Sequence, residues 1–138
     1  DGAVPDSLGI EMGDRSFTFG EMREQLLRTT PGESLAYLTD FRIEPGTHEW
    51  QDLVAWLSGT TILVCECQYR SDDTALAVQN GHMTAGLVGR LAAEARVGKL
   101  VLQHLSRRYQ RDKWLAMRDQ AKAAFPRTEL PLEWSIPD

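Results

Sequence analysis

The fold class that this sequence predicts is α/β, a layered domain with a sheet packed against helices. Two observations carry that reading. Short apolar runs rich in β-branched residues alternate with stretches whose apolar residues recur at helical spacing, and Gly, Pro and Asp punctuate the joins. A hydrophobic content of 42% beside a charged content of 25% is ordinary for a folded domain and excludes disorder of the whole chain.

In chain order, the first thirteen residues, with Gly2, Pro5 and Gly9, read as a loop-like entry segment. Residues 15–18 and 34–39 read as strands, the second introduced by Pro31-Gly32. A helix fits 49–57, where Leu53, Val54 and Leu57 share a face and Gly59 stops it. Residues 61–65 form a continuous apolar run that suits a strand buried on both faces. Thr84 is the expected N-cap of a helix through Arg96, with Leu87, Val88, Leu91, Ala92 and Ala95 inward and Gly98 ending it. Residues 99–103 give the next buried strand. Asp112 is expected to cap a final helix reaching Phe125 before Pro126, and 130–134 to add an edge strand. The sequence shows no repeats, so 1–138 reads as one unit, and 138 residues suffice to bury about two-thirds of the unfolded surface.

The net charge of −5 excludes a general electrostatic attraction to nucleic acid, although Arg107, Arg108 and Arg111 crowd one short segment. Cys65 and Cys67 are the two cysteines. On a strand their side chains share a face about 6.5–7 Å apart, too wide for a relaxed disulfide. Two buried thiols in a reducing compartment are therefore expected rather than a metal pair. No segment reaches the roughly 18 apolar residues that span a bilayer, and no basic-then-apolar stretch opens the chain. No membrane partner and a cytoplasmic location are expected.

Three of the apolar runs end in a polar side chain that can do chemistry: Leu-Thr-Asp40, Val-Cys-Glu66 and Leu-Gln-His104. Ligands of α/β sheets usually bind beyond the carboxyl ends of strands, so these three point to one edge. Asp40 and His104 are chemically sensible ligands for divalent metal, since carboxylates can bridge two cations and neutral imidazole suits zinc. His82, in Gly-His-Met-Thr just before a helix, could donate a proton to a leaving oxygen. Glu66 could accept from its other ring nitrogen and fix the tautomer. Taken singly, each of these residues has a structural explanation as a turn, cap or ion-paired residue, and His48 at a helix start has no companion. Agreement of order, element type and spacing favours a site.

These segments resemble metallo-β-lactamase-fold hydrolases, and among them ribonuclease Z, which trims the 3′ end of precursor tRNA. Ala-Tyr-Leu-Thr-Asp40 is similar to the family strand that ends in the metal-bridging Asp, and Leu-Val-Leu-Gln-His104-Leu-Ser-Arg-Arg-Tyr109 to the strand and turn with the last metal-binding His. Cys65-Glu66-Cys67-Gln68 looks like the His-Glu-Ala-Thr motif, and His82-Met83-Thr84 like its His-Ser-Thr partner. The resemblance runs from about Gly32 to Phe125. It implies an endonuclease of tRNA processing, with Asp40 and His104 as ligands in a two-zinc site. It further implies that His82 protonates the leaving 3′ oxygen, with Glu66 as its support and Arg108 and Tyr109 near the substrate.

The family's His-x-His-x-Asp-His motif is absent, and only three His occur in the chain. The resemblance thus implies the C-terminal half of a pseudo-two-fold αββα sandwich, whose site is incomplete alone. Its partner would be the N-terminal half of the same domain or a second copy. Cys65 stands in place of the first motif His and Met83 in place of Ser. Two alternatives follow: a small-molecule thioester, lactone or phosphodiester hydrolase of the same fold, or a noncatalytic interaction half-domain.

Overall fold

Gly13, at φ +62, opens a two-residue turn with Asp14 and folds β1 (Gly9–Met12) antiparallel onto β2 (Arg15–Thr18). A positive φ at the first turn position matches the twist of the two strands, and glycine adopts it without a Cβ clash. A computed structural model of the chain describes residues 4–28 and 30–135. Residues 9–12 were expected to be loop-like. They form a strand because register with β2 supplies the hydrogen bonds that their short, weakly apolar sequence does not advertise, while residues 1–3 lie outside the described part. Thr18 then caps α1 (Phe19–Leu26) in a reciprocal box, its hydroxyl accepting from Glu21 N while Glu21 Oε2 accepts from Thr18 N. Residues up to Gly32 are one compact unit and those from Glu33 another.

The second unit is built on four parallel strands, β3 (Leu35–Leu38), β4 (Ile62–Glu66), β5 (Lys99–Gln103) and β6 (Thr128–Glu129), side by side in that order. Parallel neighbours need long crossovers, and helices fill them: α2 (His48–Leu57) between β3 and β4, α3 (Thr74–Asn80) and α4 (Ala85–Glu94) between β4 and β5, and α5 (Arg111–Lys122) before β6. A short turn of helix, α6 (Leu132–Ser135), follows.

Register explains the core. Ala36, Leu63, Leu100 and Thr128 form one row across the sheet, and Leu38, Cys65 and Leu102 the next, on the same face. Against these rows pack Leu57, Val88, Leu91, Ala92, Met117 and Ala121, all fully buried. Each of the larger ones, Leu57, Val88, Leu91 and Met117, contributes about 1.5–3 kcal/mol by leaving water. α4 and α5 touch closely at Gly89, where a Cβ would lie 2.4 Å from the Ala121 carbonyl oxygen.

The opposite face alternates differently. Leu35 and Tyr37 are exposed and Ile62, Val64 and Val101 only half buried. The expectation that β4 and β5 are buried on both faces is therefore corrected: Ile62, Val64 and Val101 keep part of their surface exposed. Two helix details also differ. Gln110, not Asp112, is the N-cap of α5, and Asp112 sits in its first turn, where a carboxylate still favours the helix dipole. The last strand is Thr128–Glu129 rather than 130–134, since Pro131 cannot donate to a ladder and residues 132–135 turn helical. Among the described residues no helix is long and apolar enough to cross a membrane.

Candidate active site

Because all four strands run the same way, the carboxyl ends of β3, β4 and β5 lie along one edge. Asp40 follows β3, Glu66 is the last residue of β4 and His104 follows β5. Asp40 and His104 leave their strands with φ of +54 and +55, a left-handed turn that few residues other than glycine adopt. Backbone strain of this kind persists where surrounding structure over-determines it, and it concentrates at functional sites.

His82 reaches the same edge from the turn after α3. Gly81 closes that helix at φ +72, the His82 amide donates back to Ala77 O, and Tyr69 and Thr84 form a bridge beside it. His82 Nδ1 lies 3.1 Å from each oxygen of Glu66. Glu66 is completely buried and also accepts from Phe41 N at 2.7 Å and from Met83 N at 3.4 Å. Burying a carboxylate is tolerated where donors fill its lone pairs, and here three surround it. It fixes the proton on Nδ1 and leaves His82 Nε2 as the free ring nitrogen.

The imidazoles of His82 and His104 meet edge-on, with centroids 5.3 Å apart and planes at 70°. One ligand atom each from Asp40, His82 and His104 lies within 4.8 Å of the others. His104 Nε2 is 3.4 Å from Gln68 Nε2. His104 Nδ1 is buried without a hydrogen bond, and Asp40 Oδ1, its nearest acidic atom, stands 3.7 Å away, beyond hydrogen-bond reach. One carboxylate, two imidazoles and an orphaned ring nitrogen beside that carboxylate suit a divalent cation better than they suit one another. The residues fit a partial metal site.

The structure places Asp40, Glu66, His82 and His104 together, and the Tyr109 hydroxyl is engaged by Asp73. The Tyr109 hydroxyl donates to Asp73 Oδ2 at 2.6 Å, and burial followed by that bond pushes its pKa up to about 12. Arg108 is exposed, with its guanidinium 6.0 Å from the Tyr109 ring centroid. His48 begins α2 behind the N-cap Thr47. Cys65 and Cys67 are free, buried thiols whose pKa values are raised by burial.

Sequence reasoning passed over the loop that follows Asp40. Phe41 offers its amide to Glu66, and Arg42 Nη1 donates to His82 O at 2.9 Å. An Arg two residues beyond a strand-end Asp was the available signal.

Comparison with known proteins fits this geometry. No family model matches the chain. It is 42% identical over 125 residues to Ribonuclease Z of Deinococcus radiodurans, a match covering 91% of this chain and 37% of that protein. Ribonuclease Z of Nocardia farcinica is 39% identical over 69% of this chain and 28% of its own length. The chain is ribonuclease Z-like. The crystal structure of the metallo-β-lactamase fold protein YhfI from Bacillus subtilis superposes with a TM-score of 0.58 at 24% identity, covering 70% of this chain and 36% of that one. The ribonuclease Z-like chain thus has part of a metallo-β-lactamase fold and spans a little over a third of the D. radiodurans relative. Cys65 and Met83, where it departs from the motifs His-Glu-Ala-Thr and His-Ser-Thr, are both fully buried in the core. With these residues in place, Glu66 and His82 are in contact.

Proposed function

We propose that this chain supplies the C-terminal half of the active site of a metal-dependent phosphodiesterase that trims the 3′ end of precursor tRNA. The observation that carries the reading is the Glu66–His82 pair facing Asp40 and His104 across one strand-end edge. Glu66 holds the His82 proton on Nδ1, so Nε2, once protonated, can give its proton to the leaving 3′ oxygen. Asp40 and His104 would hold zinc, two ions in the complete domain, with further ligands from sequence outside this chain. When bound, zinc there would supply an activated water and charge neutralisation for the phosphoryl group. Exposed Arg107 and Arg108 are available for the tRNA backbone, each as a phosphate contact without sequence preference.

The half-open sheet face at Leu35, Tyr37, Ile62, Val64 and Val101 is where the N-terminal half of the domain, or a second copy, would pack. Its apolar content supports an incomplete sandwich over a self-sufficient interaction module. A small-molecule ester or lactone substrate would use the same metal ligands, and cleavage of a 3′-extended tRNA separates the two.

The deciding experiment is His82→Ala in the full-length protein. Cleavage of precursor tRNA is expected to fall roughly a hundredfold or more with zinc content unchanged. Loss of zinc would instead move His82 into the ligand set, for which it lies near enough, within 4.8 Å of Asp40 and His104. Undiminished cleavage with zinc retained would overturn both roles.

A further inference from the structure

We infer that Arg42 is a positioning residue for His82, coupling the strand end that carries Asp40 to the turn that carries the imidazole. The Arg42 side chain is only 10% exposed. Its guanidinium divides between two partners: Nη1 donates to the main-chain carbonyl of His82 at 2.9 Å, and Nη2 pairs with Glu44. The amide of the preceding residue, Phe41, donates to Glu66 Oε1 at 2.7 Å. One loop therefore grips both members of the Glu66–His82 pair, the carboxylate through an amide and the imidazole residue through its carbonyl.

The consequence is geometric. Holding the His82 carbonyl fixes the plane of the His82–Met83 peptide, and that plane aims the Met83 amide at Glu66 Oε2, 3.4 Å away. With backbone and carboxylate both pinned, the ring keeps Nδ1 equidistant from the two oxygens. An arginine suits this task because its planar fork serves two acceptors in fixed directions, which one ammonium cannot do in the same geometry. Arg42 touches neither a reacting atom nor a metal ligand atom in this arrangement. Its effect runs through His82.

The inference rests on the hydrolase reading for its kinetic consequence, and the test separates the two. In the full-length protein, Arg42→Lys and Arg42→Ala are expected to lower kcat for precursor tRNA by about tenfold or more, the usual scale for groups that orient an active residue, with KM little changed. Labelling with 15N-histidine reports the other half: the low-field Nδ1–H signal of His82, assigned through His82→Ala, should move upfield and exchange faster in both variants. Glu44→Ala, which removes one of the two acceptors of the fork, should move signal and kcat in the same direction as Arg42→Ala but by less. An unchanged His82 signal in Arg42→Ala would overturn the positioning role. Should the unmutated protein fail to cleave RNA, the hydrolase reading falls and the histidine signal still decides Arg42.

Discussion

Glu66 presents both carboxylate oxygens to Nδ1 of His82 at 3.1 Å, across 16 residues of sequence and with no exposure of the carboxylate to solvent. Burial of a charge is costly unless its lone pairs are filled, and here His82 and the amides of Phe41 and Met83 fill them. Glu66→Ala would leave those donors without an acceptor, at about 1–3 kcal/mol for each one that water cannot reach. A loss of roughly 3 kcal/mol in urea unfolding is expected for Glu66→Ala, and a smaller one for Glu66→Gln, which keeps an acceptor oxygen. Equal losses in the two variants would show that packing, not hydrogen bonding, sets the cost.

The packing of α4 on α5 predicts a second stability effect, remote from the site. The Cβ of Gly89→Ala would stand 2.4 Å from Ala121 O and 3.0 Å from Ala121 Cα, backbone atoms that cannot swing aside. The helices must part or shift. A loss of about 1–3 kcal/mol is expected, despite the better helix propensity of alanine. Thermal unfolding of the variant checks it, and an unchanged midpoint would mean that the helices slide at little cost.

Tyr109 gives a pH dependence with a definite sign. Burial, then the bond to Asp73, raises its pKa from 10.0 to about 12. The folded chain therefore binds the phenol proton more tightly than the unfolded chain does. The resulting stabilisation is complete below the unfolded pKa, near pH 10, and is lost as pH rises through about 12. Ultraviolet titration of phenolate absorbance, compared with Tyr109→Phe, should show this late-titrating tyrosine. A midpoint near 10 for the missing component would remove the buried hydrogen bond from the account.

Much of this arrangement was legible in the sequence, and the reasons for the misses are physical. β4 and β5 stood out because their apolar runs are continuous, and their polar ends fell at the strand carboxyl termini. The same continuity misled on burial. Ile62, Val64 and Val101 are as apolar as Leu63 and Leu100, so periodicity could not reveal that one face is open. β1 and α3 carry weak patterns, Gly-Ile-Glu-Met paired in a hairpin with β2 and a seven-residue helix ended by Gly81. The contact of His82 with Glu66 follows from element order, since both flank the crossover between β4 and α4. Arg42 carried only its place two residues beyond Asp40 as a signal, because its partner at His82 is a backbone carbonyl, which leaves no mark in the sequence.

The backbone at Asp40 supports a prediction that separates stability from function. Its φ of +54 disfavours most side chains, and its carboxylate is mainly exposed, with one hydrogen bond from Thr39 Oγ1 at 2.7 Å. Glycine adopts this conformation freely, and the relief offsets the extra entropy that glycine loses on folding. Asp40→Gly should therefore unfold within about 1 kcal/mol of the parent, whereas Asp40→Ala keeps the strain and loses the hydrogen bond. On the proposed metal role, both substitutions should lower zinc content in the full-length protein alike, because both remove the carboxylate. Zinc retained in Asp40→Gly would reduce Asp40 to a turn residue. Zinc lost only in Asp40→Ala would trace the metal effect to backbone distortion instead of ligand loss, so the pair of variants distinguishes a strained ligand from a strained turn.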